Sequence, residues 1–178
     1  MESGEWSVIS IRSETPEDYA GIHEVNALAF GREDEARLVE AVRASPDFIP
    51  ALSLVAVEDG RVVGHALFSP IHVETPTGVV AILALAPVAV RPERQNQGIG
   101  SRLIRRGLDE CRRLSHAVVN VVGHPNYYPR FGFSPARALG LEAPFPVPDE
   151  AFMVLELAPG ALADVKGRVR YPPAFEGV

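Results

Sequence analysis

The segment Val88 to Ser101, Val-Ala-Val-Arg-Pro-Glu-Arg-Gln-Asn-Gln-Gly-Ile-Gly-Ser, constrains this chain more than any other. It carries an apolar run into an amphipathic stretch through a polar turn holding two glycines, Gly98 and Gly100. From Ile99 to Leu114 the apolar residues Ile99, Leu103, Leu108, Cys111 and Leu114 recur at helical spacing, and arginines fill the other faces. The unit reads as strand, turn, helix. Glycine lets backbone N–H groups converge without a Cβ in the way. At a helix start those groups lack internal partners and carry partial positive charge, so a phosphate or pyrophosphate is their natural occupant. A turn whose glycines only relieve crowding fits the same residues. A Rossmann fingerprint does not, since it needs a further glycine at Leu103, and no Gly-Lys-Ser/Thr follows for a nucleoside triphosphate.

The flanks supply the rest of a mixed sheet. Ser7 to Arg12 alternates as a first strand, and Thr15-Pro16-Glu17-Asp18 reads as a helix start with Thr15 as cap. That helix runs to about Phe30, where Gly31 breaks it; Glu35 to Ala44 follows, with Leu38, Val39 and Val42 on one side. Leu52 to Glu58, Asp59-Gly60 and Arg61 to Phe68 form a hairpin, because Asp-Gly readily takes the positive φ angles of a tight reversal. A second reversal at residues 75–78 leads into the run Val79 to Val90, and Pro87, lacking an N–H, predicts a bulge or gap in its ladder. Ala117 to Val122 is a strand, Tyr127 to Gly132 a single helical turn, and Phe133 onward and Phe152 to Leu157 the last strands. Pro159 to Val178 is coil-like, with Tyr171 and Phe175 as residues for docking it on the body. The order is that of an α/β or α+β domain, and 178 residues predict a single one, 1–178.

Composition removes several functions. A net charge of −6 disfavours a general nucleic-acid binder, which needs a basic face. The longest apolar run falls far short of the roughly 20 residues of a membrane helix. Met1 to Trp6 has no basic stretch followed by an apolar one, so no secretory signal is read and cytoplasmic residence is the default. The single cysteine, Cys111, sits at a packing position and has no internal partner for a disulfide.

Gln95-x-x-Gly98-x-Gly100, with Val88-Ala89-Val90 before it, resembles the acetyl-CoA pyrophosphate loop of GNAT N-acetyltransferases. Tyr128-Pro129-Arg130-Phe131-Gly132-Phe133 is similar to the Tyr-x-x-Phe/Leu-Gly-Phe segment that follows their fifth strand. Residues 85–90, 123–128 and 167–175 extend the resemblance to a subgroup of bacterial predicted acetyltransferases, so it covers most of the chain. It implies a mostly antiparallel sheet with helices on both faces and with strands four and five splayed apart. It implies acetyl-CoA as cosubstrate, with no metal, and an amine of a small molecule or protein as acceptor; a homodimer is common in the family. Backbone groups of Val88, Ala89 and Val90 are expected to pair with the pantetheine arm. Amides from Gln95, Asn96, Gln97, Gly98, Ile99, Gly100 and Ser101 are expected to hold the pyrophosphate. Arg91, Arg94 and Arg102 are candidates for the outer phosphate, or are solvated arginines.

Acetyl transfer to an amine needs a neutral nucleophile, a polarised carbonyl and a proton for the thiolate. By resemblance Tyr128 is the acid; a phenol of pKa about 10 is protonated at neutral pH. Tyr127 beside it is the alternative. Residues 82–90 contain no acid, so the strand glutamate some members use as base is missing. His124, with a reference pKa of about 6.5, is the candidate that remains, or a loop histidine that caps the following turn. His65 and His72 are weaker candidates, and ordered water serves equally as a proton path. Glu33, Asp34 and Glu35 are either carboxylates for an ammonium group or a solvated helix cap. A non-catalytic acyl-CoA sensor and an acyltransferase using another acyl group or a hydroxyl acceptor keep the same cofactor site.

Overall fold

The structure is a computed structural model that describes residues 8–178. Met1 to Trp6 and the Ser7 start of the first strand lie outside them. The chain begins with β1 (Ile9–Ser13), which leads through a 3₁₀ turn at Pro16–Asp18 into α1 (Tyr19–Phe30). Asp18 accepts the backbone N–H of Thr15 at 2.7 Å, so the expected start is closed by a reciprocal cap. Gly31 ends α1 at φ 67°, a left-handed angle where glycine escapes the Cβ penalty. α2 (Asp34–Ala44) buries Leu38, Val39 and Val42, as its periodicity predicts.

β2 (Ser53–Glu58), β3 (Arg61–Thr75) and β4 (Gly78–Val90) form the expected meander. Asp59 and Gly60 reverse the chain at φ 51° and 75°. β3 runs past the predicted end at Phe68, because β4 continues to pair with it as far as Thr75 opposite Gly78. The irregularity expected at Pro87 is a β-bulge: Ala66 pairs with Val88 and Phe68 with Leu85, so Leu67 faces both Ala86 and Pro87. α3 (Ile99–Arg113) and β5 (Val118–Val122) follow. β5 runs parallel to β4 but pairs with it only at Leu83 opposite Val119 and Ala84 opposite Asn120. Beyond Ala84 the two strands part.

β6 (Ser134–Pro135), β7 (Leu141–Glu142), β8 (Phe152–Glu156) and β9 (Gly167–Arg170) complete a sheet with the order β1-β2-β3-β4-β5-β8-β6. Its pairs are antiparallel except β4 with β5 and β7 with β9. The tail is therefore not coil throughout. β9 lies antiparallel to the second half of β3, with Val169 opposite Val73, and takes up the edge that β2 leaves free.

The two faces of the sheet are covered by different helices. Ile99, Leu103, Ile104 and Leu108 of α3 pack with Leu54, Phe68, Leu85 and Val119 on one face. Ile22, Val25, Leu38 and Val42 of α1 and α2 pack with Val55, Leu67 and Ala89 on the other. Each such aliphatic side chain, fully buried, stabilises the fold by about 1.5–3 kcal/mol. Cys111 is buried in the α3 layer, and desolvation pushes its thiol up to about 12, so packing is its role. No helix among the described residues is long and apolar enough to cross a membrane.

Candidate active site

The parting of β4 and β5 opens a cleft of about 780 Å³, walled by Ala84 to Val88 on one strand and Asn120 to His124 on the other. On its β5 side β4 has no strand partner after Ala84 among the described residues, so a row of backbone donors and acceptors is left open to an extended ligand. The carbonyl of Val90, at the end of that row, accepts the side-chain amide of Gln95 at 3.1 Å. Val88 lines the cleft, whereas Ala89 points into the core under α1 and α2.

The turn Gln95 to Ser101 lies at the end of β4. Asn96 and Gly98 adopt φ 61° and 83°, left-handed angles that bend the chain sharply ahead of α3. The Arg102 N–H bonds to the Gly98 carbonyl at 3.1 Å, so the amides of Ile99, Gly100 and Ser101 precede the first intrahelical bond and have no partner within the helix. Nothing lies within 4 Å of where a Cβ at Gly98 would be, and only Tyr127 Oη and Val90 Cγ2 come within 4 Å of one at Gly100. The residues thus fit a pyrophosphate. The arginines do other work. Arg91 is buried, donates to the Val62 carbonyl at 2.8 Å and pairs with Glu24 at 2.7 Å, so it belongs to the body of the fold. Arg94 is held by Glu58 at 2.5 Å, and Arg102 donates to the Ile9 carbonyl at 3.0 Å.

Tyr128 opens the 3₁₀ turn Tyr128–Phe131 and lines the cleft. Its ring is fixed edge-on by Tyr127 and Phe133, with centroids at 5.1 and 5.9 Å, and its hydroxyl makes no hydrogen bond among the described residues. Burial, with a smaller contribution from Tyr127, pushes its pKa up to about 12, so it carries its proton throughout the neutral range. A Cβ at Gly123 would lie 2.4 Å from Tyr128 Cε2, so glycine at the end of β5 makes the place where the ring lies. Tyr127 is turned elsewhere: its hydroxyl meets Ser101 Oγ at 2.9 Å and Arg130 stacks on its ring, bracing the Tyr128–Phe131 turn against the start of α3.

His124 is exposed on the β5 wall, its carbonyl accepting the Tyr127 N–H at 3.1 Å. The cleft therefore brings Val88, His124 and Tyr128 together. His65 is fully buried between Ser53 Oγ at 3.0 Å and Asn26 Nδ2 at 3.3 Å, and desolvation lowers its pKa to about 3. It is a neutral core residue.

Sequence reasoning did not single out Gly123, Asn120 or the hydroxyl of Tyr171. Asn120 is buried on the cleft floor, donates to the Met153 carbonyl at 2.9 Å and accepts the Tyr171 hydroxyl at 2.6 Å. That bond ties the C-terminal segment to the floor, where Tyr171, Pro172, Phe175 and Glu176 line the cleft together with Phe30, Arg32 and Glu35. A polar residue in the middle of an apolar strand was the available signal. No group of three or more His, Cys, Asp or Glu among the described residues is placed to hold a metal ion.

Residues 10–136 match the Acetyltransferase (GNAT) domain family. The chain is 42% identical over 134 residues to the uncharacterized N-acetyltransferase YjhQ of Escherichia coli strain K12, covering 75% of this chain and 74% of that protein. It superposes with a TM-score of 0.89 on the crystal structure of the Escherichia coli GNAT family N-acetyltransferase YhbS in complex with CoA. The two are 33% identical, over 98% of this chain and 96% of that one. A GNAT family acetyltransferase from Brucella melitensis in complex with acetyl-CoA superposes with a TM-score of 0.78 at 34% identity, over 95% and 99% of the two chains.

Proposed function

The chain belongs to the GNAT acetyltransferase family, and from that premise we propose that it transfers an acetyl group from acetyl-CoA to an amine, with Tyr128 as general acid. The observation that carries this reading is the cleft between β4 and β5, with Tyr128 on its wall, its hydroxyl without a partner among the described residues, and a turn with unpaired helix-start amides following β4. Acetyl-CoA supplies the acyl group as a thioester, already activated for attack. The free edge of β4, with the backbone of Val88 to Val90, holds the pantetheine arm as an added strand. The amides of residues 95–101 hold the pyrophosphate, and the same partial charge falls off within the first turn of α3. A backbone N–H of the β4 edge polarises the carbonyl.

In the net reaction the amine nitrogen bonds to the acyl carbon, the carbon–sulfur bond breaks, and one proton leaves the amine while one reaches the sulfur. Tyr128 donates the latter; its raised pKa keeps the donor loaded throughout the neutral range. His124, exposed on the β5 side of the cleft, takes the amine proton directly or through water.

Two measurements test this. Acetyl-CoA at about 100 times its dissociation constant adds roughly 2.7 kcal/mol to the folded state, so the melting temperature rises; no shift with acetyl-CoA or CoA refutes the cofactor site. Thiol release over an amine panel then falls about 10²- to 10⁴-fold in Tyr128→Phe, while the acetyl-CoA shift is retained. Unchanged turnover in that variant refutes the acid assignment. A shift with no thiol release for any amine makes the protein an acyl-CoA binder.

A further inference from the structure

The Tyr128 hydroxyl has no hydrogen bond among the described residues to fix where it stands, so its place is set by the turn that carries it and by the rings around it. That turn is bonded mostly to itself. The N–H groups of Tyr127 and Tyr128 both reach the His124 carbonyl, at 3.1 and 3.4 Å, the Gly132 N–H reaches the Pro129 carbonyl at 3.0 Å, and Arg130 Nε donates back to the Tyr127 carbonyl at 2.9 Å. Among the described residues, the hydrogen bond that leaves residues 124–132 for another element is the 2.9 Å contact of the Tyr127 hydroxyl with Ser101 Oγ, in the first turn of α3.

A second contact runs to the same helix. Arg105, one turn beyond Ser101, lies over the Phe131 ring at 4.9 Å. Between these anchors the Tyr127 ring meets Tyr128 edge-on at 5.1 Å and Phe131 at 5.3 Å, and the Arg130 guanidinium covers its face at 4.4 Å. The Tyr127 hydroxyl also lies against the glycine turn itself, 3.5 Å from where a Cβ at Gly100 would be. Contacts therefore run without a break from the start of α3, through Tyr127, to the ring of Tyr128. Edge-on rings can slide over one another, whereas a hydrogen bond at the ring tip prefers one distance and direction.

We infer that Tyr127 is a positioning residue: its hydroxyl, held by Ser101, fixes the Tyr128 ring relative to the turn at Gln95 to Ser101. Acid and cofactor turn are thereby registered on one helix end. This rests on the acetyltransferase reading above, with Tyr128 as acid, and gives Tyr127 a share in turnover without contact with the reacting atoms.

The test is steady-state thiol release from acetyl-CoA by the full chain, with an amine that supports turnover, in Tyr127→Phe, Ser101→Ala, the two together, and Tyr127→Phe combined with Tyr128→Phe. Tyr127→Phe keeps the ring and removes only its anchor, so kcat is expected to fall about 10-fold, short of the roughly 10²-fold of a full 1 Å misplacement. Its KM for acetyl-CoA is expected to stay within about twofold of wild type. Ser101→Ala removes the other end of the same bond and should lower kcat by a similar factor, with no further loss when both hydroxyls are gone. In the Tyr128→Phe background the Tyr127 substitution should cost no more kcat. A bond that only stabilised the fold would lower the melting temperature and leave kcat alone. A kcat for Tyr127→Phe within about twofold of wild type overturns the inference, as does a loss that persists in the Tyr128→Phe background or one confined to the KM for acetyl-CoA. Absence of an acetyl-CoA melting shift is a different failure, that of the acetyltransferase reading, and unchanged turnover in Tyr128→Phe alone is that of the acid assignment.

Discussion

Gly123→Ala is the most revealing substitution, because it moves the candidate acid without touching its chemistry. The new Cβ would lie 2.4 Å from Cε2, 3.0 Å from Cδ2 and 3.3 Å from Cζ of Tyr128. Carbon atoms rest at about 3.5–4.0 Å, so the ring must retreat by about 1 Å. Tyr127 and Phe133 stand edge-on to it and Phe131 is tilted against it, all within 6.4 Å between centroids, so the phenol cannot yield by small rotations within its pocket. Overpacking of this kind costs about 1–3 kcal/mol of stability. A displacement of about 1 Å at a reacting group lowers turnover by about 10²-fold. The assay is steady-state thiol release with an amine that supports turnover, measured in wild type, Gly123→Ala, Tyr128→Phe and the double variant. Once the hydroxyl is gone its position no longer matters, so Gly123→Ala should cost little further kcat in the Tyr128→Phe background. Full activity of Gly123→Ala would refute the reasoning, and so would losses that multiply in the double variant.

Two further outcomes follow from the buried polar groups. His65 has its pKa lowered to about 3 against about 6.5 when unfolded, so between those values only the unfolded chain takes up its proton; stability then falls on acidification by up to about 1.4 kcal/mol per pH unit and is unaffected by this group above pH 6.5. Urea unfolding from pH 7 to 4 reads the slope, and an NMR titration of His65 near 6.5 would contradict it. Arg91→Ala should leave acetyl-CoA affinity within about twofold of wild type yet destabilise the fold by about 1–3 kcal/mol, since the Val62 carbonyl loses its donor. A large loss of acetyl-CoA affinity with an unchanged melting temperature would return Arg91 to the phosphate site.

The strands, helices and turns that announced themselves did so through local chemistry. Asp59-Gly60 has the angles its residues favour, Gly31 stops α1, and Pro87 disrupts its ladder because it has no N–H to give. Features set by distant partners were not legible. β9 is Gly-Arg-Val-Arg, with Val169 its one apolar side chain, and only the uncovered edge of β3 makes it a strand. Arg91 stood as a candidate for the outer phosphate or a solvated arginine because sequence fixes its nearness to the turn, whereas its direction is fixed by Val62 and Glu24. Glu35 sat in an acidic run at a helix start, where a solvated cap is the ordinary outcome; its burial comes from the elements that close around the cleft. In the site, the turn and Tyr128 were marked by short-range pattern, whereas the glycine beneath Tyr128 and the Asn120–Tyr171 bond join residues far apart in the chain.

The bulge in β4 acts as a change of phase. Leu83 and Leu85 face the α3 layer, and strict alternation would next present Pro87 and Ala89 there. With one residue added, Val88 and Val90 take that side and Ala89 turns toward α1 and α2. The strand thus reaches the turn at Gln95 to Ser101 half a period out of step with its own beginning. Loss of a single residue at Ala86 or Pro87 would restore the even count and invert every side chain between there and the start of α3. The length of this one strand therefore sets which way the glycine turn faces, as a keyway sets the angle of a shaft.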